Sequence, residues 1–161
     1  MTLQQIFNVN PQGAMRLVRS DSWITHKKEW QLTQKQLVRA KRIQSYYDYR
    51  DKLKELAFEV EYLPRITNEV LVFYISMPKS WSTKKKQRMI MTPCESKPDT
   101  DNLIKAFYDA LLYKDNNFND KQIWTMCGVK IWGLQGGIEV YHHDFCGIYS
   151  EILSSYTSGS I

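Results

Sequence analysis

Residues 97–130 (KPDTDNLIKAFYDALLYKDNNFNDKQIWTMCGVK) hold the densest set of side chains with chemistry to offer. Asp99 and Asp101 stand two apart, Lys105 follows one helical turn later, and Asp120 lies where a further strand is expected to begin. Carboxylates gathered in this way suit a hard divalent cation, which prefers oxygen ligands. A plainer reading accounts for the same spacing. Aspartates in a first helical turn complement the helix dipole, and an Asp101–Lys105 pair at i,i+4 is worth only ~0.2–0.5 kcal/mol.

The element that must position these groups is a helix. Pro98 disfavours helical geometry at Lys97, so the helix is expected to start at Asp99 or Asp101 as N-cap. At 3.6 residues per turn, Leu103, Ile104, Phe107, Ala110 and Leu111 share one arc that faces the core. Asp101, Lys105 and Asp109 fall on the other side, with Asp109 read as a solvated helix residue. Two rival metal sites fail on their own terms. A calcium loop starting at Asp115 needs Gly at its sixth position and Glu at its twelfth, which here are Asp120 and Met126. His142 and His143, with Asp144 and Cys146, lack a zinc spacing and point to opposite faces of a strand.

The elements around this helix are legible to different degrees. Residues 1–13 are polar and suggest no element. Residues 15–19 (MRLVR) suggest a short strand, and residues 20–32 a loop in which Trp23 and Trp30 either pack on the core or stack on bases. Thr33 and Gln36 form a capping box that opens one long helix over residues 34–58, free of Pro and Gly. Its apolar spacing runs through Leu37, Ala40, Ile43, Tyr47, Leu53, Leu56 and Ala57. The other face carries Lys35, Arg39, Lys41, Arg42, Arg50, Lys52 and Lys54, either as a solvated face or as a surface for a phosphate backbone.

Pro64 and a Thr67-Asn68 turn end that unit. Residues 69–77 (EVLVFYISM) are apolar on both faces and β-branched, as in a central buried strand. Residues 79–88 read as a basic loop headed by Trp81, with Lys79, Lys84, Lys85, Lys86 and Arg88 as candidate phosphate contacts. Over residues 123–131 the pattern alternates, Cys127, Val129 and Ile131 on one face and Gly128 and Lys130 on the other. The glycines at 133, 136 and 137 then suggest a hairpin to a last strand at 138–141.

Net charge is +5 with a pI near 9.0, distributed as +5 over residues 1–60, +3 over 61–100 and −3 over 101–161. Basic segments thus flank an acidic patch, a balance that suits a polyanionic partner provided a cation offsets the carboxylates. The length fits one domain with a single core. No apolar run approaches the ~18 residues of a membrane span, and Met1 opens no signal peptide. Cys94, Cys127 and Cys146 read as reduced thiols, so the expected location is cytoplasmic, with no membrane partner.

KPDTDNLIKAFYDAL, followed by a strand-leading aspartate and a lysine-bearing strand, resembles the RusA-type Holliday junction resolvases. The matching residues are Asp99, Asp101, Asn102, Leu103, Lys105, Asp109 and Leu111, then Asn119, Asp120 and Ile123. Residues 77–86 (MPKSWSTKKK) are similar to phage-type members. The resemblance implies a Mg²⁺-dependent endodeoxyribonuclease, with Mn²⁺ as a substitute ion, acting as a homodimer on four-way or other branched DNA in recombination and repair. It implies metal ligands at Asp99, Asp101 and Asp120 and an essential lysine at Lys105. Asn119 stands where the family usually has the first of two aspartates. A less selective branched-DNA or flap nuclease and a silent junction-binding protein are the alternatives. The expected fold is α/β (α+β), a small mixed sheet of about four strands with two main helices. A single domain spans residues 1–143 and a polar, flexible tail follows at 144–161. Arg16 and Arg19 join the candidate DNA contacts.

Overall fold

The computed structural model describes residues 2–15, 18–64, 69–112, 125 and 127–142. Strand β1 (Thr2–Phe7) is followed by helix α1 (Arg19–Thr25), a single 3₁₀ turn (Glu29–Gln31) and the long helix α2 (Gln34–Glu59). Strand β2 (Glu69–Ser76), short helix α3 (Thr83–Met89), helix α4 (Thr100–Leu111), β3 (Cys127–Gly133) and β4 (Gly137–His142) complete the order. The four strands form one mixed sheet in the order β1-β4-β2-β3. The two long helices pack on one of its faces, giving a single α+β domain.

Helix α2 starts as its capping box dictates. The Thr33 hydroxyl accepts from the Gln36 amide, and the Gln36 side chain accepts from the Thr33 amide at 2.9 Å. Its buried stripe is Ile43, Tyr46, Tyr49, Arg50, Leu53 and Ala57. The stripe is turned slightly from the expected one, so Tyr46 rather than Tyr47 enters the core. Arg50, expected on the solvated face, is buried by the same rotation and lies 5.9 Å and 5.6 Å from the Tyr46 and Tyr47 rings.

Strand β2 is central, with Leu71 and Phe73 fully buried against α2 and α4. Phe7, Ile138 and Val140 join them from β1 and β4, and Leu103, Ala106, Phe107 and Ala110 from α4. Glu69 at the head of β2 is also buried. It accepts hydrogen bonds from the hydroxyls of Tyr62 (2.8 Å) and Tyr108 (3.3 Å), which make its burial tolerable. Burial and the Glu69 carboxylate together push both phenols well above the ordinary tyrosine range.

Several expectations are overturned. The chain from Glu69 to His142 makes no β3–β4 hairpin. β2 lies between them, parallel to β3 and antiparallel to β4. The connection at 134–136 steps over the end of β2, where the Met77 amide donates to the Gly133 carbonyl (3.1 Å). Gly136 is required there, because a Cβ would sit 1.9 Å from Asn10 Oδ1 and 2.9 Å from Asn10 Cα. Three glycines between the strands signalled a tight turn, but pairing across it is a tertiary choice.

The segment read as uncommitted supplies β1, whose polar residues sit on an edge strand paired only to β4. Of the strand expected at 15–19, Met15 and Val18 are non-regular and Arg19 opens α1; residues 16 and 17 lie outside the described residues. Asp21 at the third position of α1 accepts from the Val18 amide (2.8 Å), an acidic start that the strand reading overlooked. The loop expected at 20–32 therefore holds α1 and the 3₁₀ turn, and Trp30 on that turn is 79% exposed rather than packed in the core. The Thr67-Asn68 turn and residues 144–161 lie outside the described residues.

Candidate active site

Helix α4 presents the acidic groups. Its N-cap is Asp99, with Asp101 in the first turn and Lys105 one turn on, and all three side chains are exposed. Leu103, Ile104, Ala106, Phe107, Tyr108 and Ala110 bury the opposite side, so the arc expected from periodicity is observed. Asp109 is half-buried rather than solvated, and its charge adds to the burial that raises the Tyr46 phenol.

The starts of α2, α3 and α4 differ in one respect. Thr33 and Ser82 cap α2 and α3 through side-chain oxygens that accept backbone N–H groups. Asp99 occupies the same place on α4 with extended backbone (φ −69°, ψ 153°), yet its carboxylate accepts no capping hydrogen bond. A carboxylate at an N-cap normally satisfies one of the orphan amides there. Among the described residues the Asp99 carboxylate has no hydrogen-bond partner, and Asp101 follows two residues on.

The turn that delivers Asp99 is held from across the sheet. Lys130 Nζ donates to the carbonyl oxygens of Ser96 (2.5 Å) and Pro98 (2.8 Å). Lys130 shares the helix-facing side of β3 with Gly128 and Trp132, in the expected alternation. Residues 91–94 run along the outer edge of β3, where the Cys94 amide donates to the Lys130 carbonyl and the Trp132 amide to that of Thr92, both at 3.0 Å. That segment covers the sheet edge and leads into the Ser96–Pro98 turn.

Basic groups gather in two places, of which the first adjoins Asp99. A cleft of about 960 Å³ opens beside Asp99, walled by Arg39, Lys41 and Arg42 of α2 and by Lys97 and Asn102, with residues 11–15 as its floor. Arg39 is committed, its guanidinium bonding both oxygens of the buried Asp21 (2.5 and 2.7 Å). That contact, with the Val18 amide, holds the Asp21 carboxyl below the usual carboxylate range.

The second basic place is α3, where a loop was expected. Ser82 caps it, and Lys84, Lys85, Lys86 and Arg88 ride on its seven residues, with Lys79 exposed just before it. Trp81 packs on Trp132 (ring centroids 4.9 Å apart), and Lys85 Nζ stands 4.0 Å over the Trp81 ring. The helix was missed because none of its residues is fully buried and only Met89 packs partly on the core, so no 3.6-residue apolar period marks it.

Asp120 and Asn119 lie outside the described residues, as does Arg16. No group of three acidic, His or Cys ligands occurs among the described residues. Lys41, Arg42 and Lys97 as one cleft, and Lys130 as a clamp, were not foreseen. A lysine on the helix-facing side of an alternating strand was the available signal for the clamp.

The described structure thus sets an exposed acidic helix start beside exposed basic groups on a small α+β scaffold. The family profile described as Endodeoxyribonuclease RusA matches residues 18–141, which is most of the chain. The chain belongs to the RusA family of endodeoxyribonucleases, and its class is that of a nuclease. No curated protein and no solved structure matches it significantly. No helix among the described residues is long and apolar enough to cross a membrane.

Proposed function

We propose that this chain is a divalent-metal-dependent endodeoxyribonuclease that resolves four-way (Holliday) junctions by paired nicks, as a homodimer, in DNA recombination and repair. It acts in the cytoplasm. The observation that carries this reading is the Asp99 carboxylate at the α4 N-cap, which makes no capping hydrogen bond and stands two residues before Asp101. A purely structural N-cap would spend that oxygen on the helix.

The donor set fits a hard cation: two exposed carboxylates at the positive end of a helix, with Asp120 as the third member from the family pattern. Asp99, Asp101 and Asp120 would hold Mg²⁺, or Mn²⁺ in its place, and the ion would supply Lewis acidity and a more acidic water. Lys105, exposed on the same side of α4, places a fixed cation where charge develops on the phosphate during hydrolysis. In the absence of metal the same ammonium lowers repulsion between the carboxylates. Lys79, Lys84, Lys85, Lys86 and Arg88 take DNA phosphates outside the reacting centre, with Arg16 and Arg19 as further contacts. Two equivalent sites related by a two-fold axis match a junction that needs symmetric nicks in opposed strands.

The deciding experiment incubates the full chain with a four-way junction, a flap and a linear duplex, in Mg²⁺ and in EDTA. Paired nicks in the junction alone, abolished by EDTA, are expected. Equal cutting of flap or linear DNA would make it a less selective nuclease, and junction binding without cutting would make it a silent binding protein.

A further inference from the structure

The cleft beside Asp99 has a shape and charge that the carboxylate site does not explain. It is built from three segments distant in sequence: residues 11–15, α2 from Val38 to Tyr46, and the start of α4. These segments are tied together. Gln12 Nε2 donates to Ser45 Oγ (3.0 Å), joining the floor to α2. The Ala14 amide donates to the Asn102 carbonyl (2.9 Å), joining it to α4. Gly13 lies so close to Pro98 that a Cβ would come within 2.6 Å of the proline ring. The walls are therefore preformed rather than assembled on binding.

The charges in the cleft are unbalanced in one direction. Arg39 is neutralised by Asp21, which stands on α1 behind it. Lys41, Arg42 and Lys97 are exposed, and none has a carboxylate partner among the described residues. Among the described residues, the single acidic group on the rim is Asp99 itself. A groove with three unspent cations that ends on a metal-type carboxylate has the charge order of a strand path, phosphates first and reacting phosphate last. The volume lies at the upper end of the range for small-molecule sites, ~300–1,000 Å³, and the lining mixes apolar Pro11, Ala14, Met15, Val38 and Pro98 with the basic side chains.

We propose that this cleft holds the DNA strand that leads into the carboxylate site, with Lys41, Arg42 and Lys97 on the phosphates flanking the one to be cut. The inference rests on the nuclease reading above and extends it to α2, a helix distant in sequence from the acidic motif. It also assigns Arg39 a different role from its neighbours: pinned by Asp21, it stiffens the wall and contacts no phosphate.

The test is junction affinity by fluorescence anisotropy in EDTA over a range of salt, with nicking in Mg²⁺ measured beside it. Variants are Lys41→Gln with Arg42→Gln, Lys97→Gln, and Lys52→Gln as a charge control on the same helix outside the cleft. The double variant is expected to weaken binding at least tenfold. It should also flatten the slope of log affinity against log salt by about 1.8, at roughly 0.9 for each phosphate no longer neutralised. Lys97→Gln should flatten it by about half as much, and Lys52→Gln should leave it unchanged. Lys41→Arg with Arg42→Lys, which keeps both charges, should restore the slope. Variants that bind with wild-type affinity and slope while the wild type nicks junctions would overturn the cleft assignment alone. A wild type that neither binds nor nicks junctions would overturn the nuclease reading and this inference with it.

Discussion

Lys130 Nζ lies 2.8 Å from the carbonyl oxygen of Pro98, the residue immediately before the aspartate that opens α4. The same ammonium bonds the Ser96 carbonyl, so one side chain from β3 fixes both ends of the turn that aims Asp99. Hydrogen bonds to a charged donor contribute ~1.5–3 kcal/mol each when well formed. This bracing explains how an exposed N-cap carboxylate keeps its direction without a capping bond of its own.

Lys130→Met should therefore damage positioning more than binding. Outer-shell partners of a metal site typically cost 10–100-fold in activity when removed. Junction nicking by Lys130→Met is expected to fall by roughly that factor at saturating DNA, and raised Mg²⁺ should recover part of the loss. Affinity for the junction in EDTA should hold close to wild type. Undiminished nicking at limiting Mg²⁺ would show that the Ser96–Pro98 turn needs no brace.

Asp101 and Lys105 lie on the exposed side of α4, so substitutions there leave the buried arc untouched. Asp101→Asn should abolish nicking of a four-way junction while junction binding survives, as read by gel shift without metal. Lys105→Ala should retain binding and lose roughly 10²–10³-fold in turnover, the range for removing one preorganised electrostatic donor. Full cleavage by the Asp101 variant would remove that residue from the site. Unaltered turnover in the Lys105 variant would reduce it to a helix ion pair.

The Asp21–Arg39 contact sets an acid limit on the α1–α2 junction. The hydrogen bonds from Arg39 and from the Val18 amide lower the Asp21 pKa in the folded chain. A depressed folded pKa means the folded state binds its proton less readily than the unfolded chain. The stabilisation is thus fully present above the unfolded value, about 3.9 for aspartate, and is lost as pH falls through the folded value. Thermal melts of the wild type should weaken with acid over that window. Asp21→Asn should melt lower at pH 7, and its deficit should shrink below about pH 3. A deficit of constant size at every pH would show that packing at Asp21, and not its charge, holds the junction.

Much of this molecule was legible from residues alone because its long elements are locally determined. The Thr33–Gln36 box, the uninterrupted run of α2, the doubly apolar β2 and the Asp99-led arc of α4 each depend on neighbours within a turn or a strand. The acidic motif and its family likeness were equally local. What sequence left open was whether Asp99 merely caps its helix. Only the three-dimensional arrangement decides that, since capping is a matter of where one carboxylate points.

Other features have no local signal. β1 is short, polar and at the sheet edge, and α3 buries none of its residues, so neither carries the apolar period that marks an element. The order β1-β4-β2-β3 places β2 between two strands joined by a three-residue link, a pairing set by long-range register and not by the glycines in that link. The basic cleft needs residues 11–15, α2 and the start of α4 at once, and the Lys130 clamp spans more than thirty residues of chain. By itself the sequence determined which residues carry charge and which arcs are apolar, because both follow from residue type and period. Tertiary structure alone decided which cations and which carboxylate lack partners among the described residues, because those depend on groups brought together only when the sheet closes over its helices.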